Sequence, residues 1–286
     1  MAFAAAVSAC LVVPIHISFA PEFGTIDWWF RRLVVDGICR VAVPFFFFSS
    51  GFFLAGRMEE AGWYRKALCK RIRTLLIPYL IFNILFCIYS LLLGVIGSQG
   101  GSVTWQTLFV VTGLNPYKWP YHGALWFMRS LMVFVLVSPL LKFFVSRKVR
   151  MWLVVSGLLF MNWIAVKMGD PWADWAFQLI SPYGSIWFIL GMHLRLVKYR
   201  GVRLLEEVSP DLHIPDWLRR ASFPIYLMHG FFICPVGNLV HICAPLLDGW
   251  AMVLLKWLLV YGITLFVSVF LHSRMPRCAF VLFGGR

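Results

Sequence analysis

The chain has 286 residues, of which 61% are hydrophobic and only 13% charged, and its formal net charge is +14. Soluble domains carry about 25% charged residues, so a soluble globular protein is excluded, because too few charges remain to cover a core of this size. Nucleic acid is a poor explanation of the positive balance: the basic residues fall in short clusters between apolar runs, as positive-inside topology produces.

The apolar runs are continuous rather than alternating, which favours a helical bundle over an outer-membrane barrel. The sequence therefore predicts an all-α fold, a polytopic transmembrane helical bundle of about eight spans, on the ruler of about 20 residues per crossing. The expected spans are 2–20, 33–56, 75–97, 123–145, 151–168, 181–197, 222–245 and 250–272, forming one integral-membrane domain over 1–286. The N-terminus has no basic n-region, so the first segment is expected to stay as a helix. Arg57, Arg65, Lys66, Lys70, Arg71 and Arg73 lie between spans two and three. Arg147, Lys148 and Arg150 follow span four, Lys198, Arg200, Arg203, Arg219 and Arg220 follow span six, and Arg274, Arg277 and Arg286 follow span eight. The opposite connections hold only Arg31, Arg32, Lys118 and Lys167, so both termini are expected in the cytoplasm. Those outer connections are rich in aromatics (Trp105, Tyr117, Trp119, Tyr121, Trp172, Trp175), which read either as an interfacial belt or as a carbohydrate-acceptor surface.

Several polar residues stand inside or beside the spans. His16 ends the first apolar run; an imidazole there is either an interfacial histidine or a functional one. Pro14 removes the amide hydrogen that Cys10 would receive, so a local kink is expected, and Glu22 follows on the outer side. Asp36 and Arg40 are spaced i, i+4 for an ion pair, with Arg40 near the depth of His16. They are either a structural pair or charge partners of a histidine base. Lys70, Arg71 and Arg73 open span three, where basic residues act as topology determinants and lipid contacts or capture a cytosolic polyphosphate. His122 and Trp126 open span four, and Arg129 lies well inside it and needs a partner or a wet cavity. Tyr226 and His229 are i, i+3 on span seven. Buried polar groups on several spans predict an internal cavity. The seven cysteines form no CxxC pair and read as small packing residues, and no metal-ligand spacing such as HExxH occurs, so no metal is expected.

Taken in chain order, a set of stretches resembles the acyltransferase-3 family of integral-membrane acyltransferases. These are Val12-Val13-Pro14-Ile15-His16-Ile17-Ser18, Arg40-Val41-Ala42-Val43-Pro44-Phe45-Phe46, Ser50-Gly51-Phe52-Phe53-Leu54, Arg71-Ile72-Arg73-Thr74-Leu75-Leu76-Ile77-Pro78-Tyr79, Leu125-Trp126-Phe127-Met128-Arg129, Ser222-Phe223-Pro224-Ile225-Tyr226-Leu227-Met228-His229 and the terminal Gly284-Gly285-Arg286. The resemblance implies transfer of an acetyl group from cytoplasmic acetyl-CoA to a cell-surface polysaccharide, lipopolysaccharide, peptidoglycan or lipid-linked sugar, in the inner (plasma) membrane. It implies His16 as the essential histidine, with Arg40 and Arg129 in support, and Lys70, Arg71 and Arg73 on the CoA side. His16 then acts either as general base or as a transient covalent acyl carrier. Two departures stand out: family members usually carry an arginine before this histidine where the chain has Ala5, and the chain is shortened between spans six and seven. The competing reading is a non-enzymatic transporter or flippase of a glycan precursor, or a catalytically lapsed relative.

Overall fold

In the computed structural model of the protein, residues 2–17, 19–92, 120, 122–168, 182–197 and 215–285 are described. The aromatic outer connections expected at 98–119 and 169–180, Tyr121, Ser18 and the 198–214 connection lie outside them. Every regular element among the described residues is helical. In chain order these are α1 (Ala2–Ile15), α2 (Ile26–Ala55), α3 (Trp63–Ser90), α4 (Gly123–Leu136), α5 (Ser138–Val145), α6 (Lys148–Met168), α7 (Pro182–Leu196), α8 (Asp216–Cys243), α9 (Gly249–Arg274) and α10 (Pro276–Leu282). Among the described residues, α2, α3, α8 and α9 are long and apolar enough to cross a membrane, and α4 with α5 makes a fifth crossing if the bent pair is one span. Within α1 the apolar stretch Ala5–Ile15 is shorter than a crossing. The outer surface is apolar too: Leu258 is 67% exposed and Phe266 70% exposed on α9, positions whose natural solvent is hydrocarbon.

Prolines set the irregularities. Pro14 cannot donate to the Cys10 carbonyl, and that carbonyl accepts instead from the indole Nε1–H of Trp257 on α9 at 2.9 Å. The expected single span 123–145 is broken, with α4 and α5 meeting at 71°. Pro139 removes the amide that Val135 would receive, and the Ser138 hydroxyl takes that carbonyl at 2.6 Å. A π turn over Ile72–Leu76 ends two residues before Pro78, and a 3-10 turn over Cys39–Val41 precedes Pro44.

The chain divides into two compact units, one made of Met1–Val43 with His213–Arg286, the other of Pro44–Leu212. In the first, α1 packs on the α8–α9 hairpin around Ala9, Val13, Ala221, Ile225, Val236, Val240 and Val260, all buried. A long-range cap fixes the start of α9: the Asp27 carboxylate accepts from the Trp250 amide at 2.8 Å. Gly249 stands there at φ +54°, and a Cβ on it would collide with that carboxylate.

In the second unit, Phe47 is fully buried against Phe127, with ring centroids 4.6 Å apart and nearly perpendicular, and Phe134 in turn meets Phe188 at 5.0 Å. The C-terminal part of α2 crosses α7 backbone to backbone. A Cβ on Gly51 would strike the Phe188 carbonyl, and one on Gly191 would strike the Phe48 carbonyl. Small residues allow such crossings between apolar helices. Gly51→Ala and Gly191→Ala are each expected to destabilise the unit by about 1–3 kcal/mol through overpacking, read as a lowered melting temperature in detergent. Gly157→Ala, which faces open space on α6, should leave the melting temperature unchanged.

Candidate functional site

Each unit carries its own polar cluster. In the first, α1 ends at Ile15 and the chain turns at His16, whose amide donates to Val13 at 3.1 Å. The His16 side chain is exposed. Against it lies His229 of α8, which is fully buried, with ring centroids 5.1 Å apart and planes tilted by 41°. His229 Nδ1 is 2.7 Å from the carbonyl of Tyr226, one turn earlier on the same helix. The Tyr226 ring, also buried, stands 6.1 Å from that of His229. The i, i+3 spacing read from the sequence thus places Tyr226 and His229 on one face, and that face meets His16.

The Asp36–Arg40 ion pair forms, with Arg40 Nη2 at 3.0 Å from Asp36 Oδ1. Two further arginines join it: Arg31 Nε lies 3.4 Å and Arg32 Nη1 4.0 Å from Asp36 Oδ2. Arg31 stands five residues before Asp36, a spacing that turns side chains away from each other on an α-helix. The chain winds as a π-helix over Arg31–Ile38, and its wider turn brings i and i+5 onto one face. Arg31 also donates to the Phe19 carbonyl at 3.1 Å, tying the connection after α1 to α2. Arg40 is exposed on this helix surface. Glu22 is exposed on the connection, where its backbone carbonyl accepts from the Thr25 hydroxyl at 2.8 Å.

In the second unit, Tyr79, Asn83, His122, Arg129 and Ser130 are all buried. The Tyr79 hydroxyl is hydrogen-bonded to the Arg129 guanidinium. Asn83 donates to the Tyr79 carbonyl at 2.8 Å and accepts the His122 amide at 3.1 Å, so α3 anchors the start of α4. The His122 ring sits 4.5 Å from Phe86, and the half-buried Trp126 ring 5.9 Å from Phe47. A cavity of about 260 Å³ opens between α3 and α4, lined by Leu68, Arg71, Ile72, Leu76, Arg129 and Met132 among others. Two guanidiniums in an otherwise apolar wall suit an anionic group on an apolar body. Of the three basic residues that open span three, Arg71 faces this cavity, whereas Lys70 and Arg73 are exposed.

The sequence reading placed Arg31 and Arg32 in an outer connection and Tyr79 in a motif without singling them out as site residues, and it passed over Asn83. Asn83 could have been found: an amide four residues after Tyr79 inside an apolar run must satisfy its own groups. Arg31 could not, since only the π turn makes it a partner.

Continuous apolar helices with polar groups held on their inward faces define a multi-pass membrane protein. A family model described as an acyltransferase domain, that of the acyltransferase-3 family, matches residues 6–167, more than half of the chain, and the chain belongs to this family. The matched stretch contains His16, Arg40, Arg71, His122 and Arg129, whereas Tyr226 and His229 lie beyond it. Among curated proteins, the chain is similar to the succinoglycan biosynthesis protein ExoH of Rhizobium meliloti (strain 1021), at 29% identity over 160 residues that cover 50% of this chain and 42% of that protein. It is also similar to an amino-acid racemase of Enterococcus faecalis, at 25% identity over 292 residues that cover 96% of this chain and 35% of that protein. The chain therefore spans less than half the length of either relative. No solved structure matches the chain.

Tyr79→Phe removes the hydroxyl bonded to a buried guanidinium and is expected to cost about 1–3 kcal/mol. A melting temperature in detergent equal to that of the parent would show that Arg129 does not depend on Tyr79.

Proposed function

We propose that the protein is an O-acetyltransferase of the plasma membrane that moves an acetyl group from cytoplasmic acetyl-CoA to a hydroxyl of an extracytoplasmic glycan or lipid-linked sugar. The observation that carries this reading is the exposed imidazole of His16, held at the end of an apolar helix against a buried second histidine, in a chain of the acyltransferase-3 family. The similarity to a protein named for succinoglycan biosynthesis supports a polysaccharide acceptor. In this reading the helical stretches form about eight spans on the ruler of about 20 residues per crossing, with both termini on the cytoplasmic side, because the basic residues gather on one set of connections. One integral-membrane domain over 1–286 then carries the function.

The chemistry assigns roles residue by residue. Arg71, with Lys70 and Arg73 at the same helix start, holds the phosphates of acetyl-CoA. His16 takes the proton of the acceptor hydroxyl as its oxygen attacks the thioester carbonyl, or else carries the acetyl group covalently between two such steps. Arg129 offsets negative charge developing on the donor carbonyl in a water-poor surrounding, and Arg40 does so on the His16 side. Glu22, Asp36, His122 and Trp126 shape the surroundings of these groups.

His16→Ala is expected to lower transfer of labelled acetyl from acetyl-CoA into alkali-labile glycan ester by about 100-fold or more in membrane vesicles, with insertion unchanged. Arg71→Ala should raise the KM for acetyl-CoA with a smaller effect on kcat. Transfer at the parent rate in the His16 variant overturns the enzymatic reading, and glycan movement independent of acetyl-CoA would mark the transporter instead.

A further inference from the structure

His229 carries a geometry that its partner His16 lacks. Its Nδ1 lies 2.7 Å from the Tyr226 carbonyl. A carbonyl oxygen only accepts, so Nδ1 is the protonated nitrogen, and the basic lone pair of the neutral ring is confined to Nε2. The His16 and His229 centroids lie 5.1 Å apart with planes tilted by 41°, so a rotation of the exposed His16 ring brings one of its N–H groups to hydrogen-bonding distance, about 2.9 Å, of His229 Nε2.

We propose that His229 is a positioning residue for the acetyl transfer: its Nε2 accepts the N–H of His16 and holds that ring in the one tautomer whose other nitrogen faces the acceptor hydroxyl. This rests on His16 being the base or carrier described above, and adds the group that orients it. The tautomer of a working histidine is set by the hydrogen bond its second nitrogen makes. In the transfer, the acceptor O–H bond breaks as its proton passes to His16, and the acceptor oxygen bonds to the acetyl carbon. The C–S bond then breaks, its electron pair leaves on the CoA sulfur, and that sulfur takes the proton back from His16. His229 exchanges no proton over the cycle; it carries the hydrogen bond throughout. The other titratable and charged groups on the elements packed against α1 are Asp27, Arg31, Arg32, Asp36, Cys39 and Arg40 on α2, Asp216, Arg219, Arg220, Tyr226, Cys234, His241 and Cys243 on α8, and Lys256, Tyr261, His272 and Arg274 on α9.

Two amide substitutions separate the edges of the ring. His229→Asn keeps a donor for the Tyr226 carbonyl but stops short of His16, whereas His229→Gln sets an amide oxygen where Nε2 stood. In membrane vesicles with acetyl-labelled acetyl-CoA as probe, His229→Asn is expected to lower kcat by about 10- to 100-fold, the scale of losing an orienting partner. The KM for acetyl-CoA should stay unchanged while the pH–rate limb is displaced from that of the parent. His229→Gln should recover most of the rate and the parent limb. Equal rates in the two variants, or an undisplaced limb in His229→Asn, overturn the positioning role and leave His229 a packing residue. His16→Ala distinguishes the levels. Transfer that survives it sinks the base itself, whereas transfer lost in His16→Ala but intact in His229→Asn sinks only the orienting role.

Discussion

Hydrogen bonds that water cannot repair organise this structure. Inside apolar helices each backbone carbonyl deprived of its amide must find another donor in the protein. At Cys10 the replacement is Trp257, which ties α1 to α9. At Val135 it is Ser138, and the helix turns through 71° there. The same demand shapes the side chains. Asn83 spends both ends of its amide, one on its own helix and one on the start of α4, and Thr264 returns its hydroxyl to Val260 on the preceding turn. The position of His16 follows from this arrangement, since α1 ends directly after Pro14 and Ile15, and Trp257 fixes that end against the hairpin.

Charge is handled in two ways, according to exposure. Asp36 gathers three arginines on a surface where Arg32 and Arg40 remain largely exposed. Such exposed pairs contribute little each, so the cluster leaves an excess of positive charge beside the helix that packs on α1. Arg129 is instead buried, and its guanidinium meets the Tyr79 hydroxyl. Arg129 and Arg71 line one cavity together, so two positive charges face the same space.

The membrane-helical class, the positions of most helices and the polar residues worth watching were legible in the sequence, because composition and apolar run length are one-dimensional properties. His16, Tyr226 and His229 were each legible as polar groups in apolar stretches, but their convergence was not, since more than 200 positions separate His16 from His229 along the chain. The break at 137 was hidden for a different reason: Pro139 announces a disturbance, but whether a proline kinks a helix or ends it depends on what takes the freed carbonyl.

By itself the sequence determined that the chain is a helical membrane protein of the acyltransferase-3 type. Charge fraction, apolar run length and the ordered motifs need no third dimension. The tertiary structure alone decided which polar groups meet. It placed a buried histidine behind His16, turned Arg71 rather than Lys70 or Arg73 toward Arg129, and added Arg31 to the Asp36 cluster. The physical reason is that these contacts depend on helix phase and on local departures from α geometry. A single π turn or a freed carbonyl rotates a face by enough to change every partner on it, and residue spacing along the chain cannot register such a rotation.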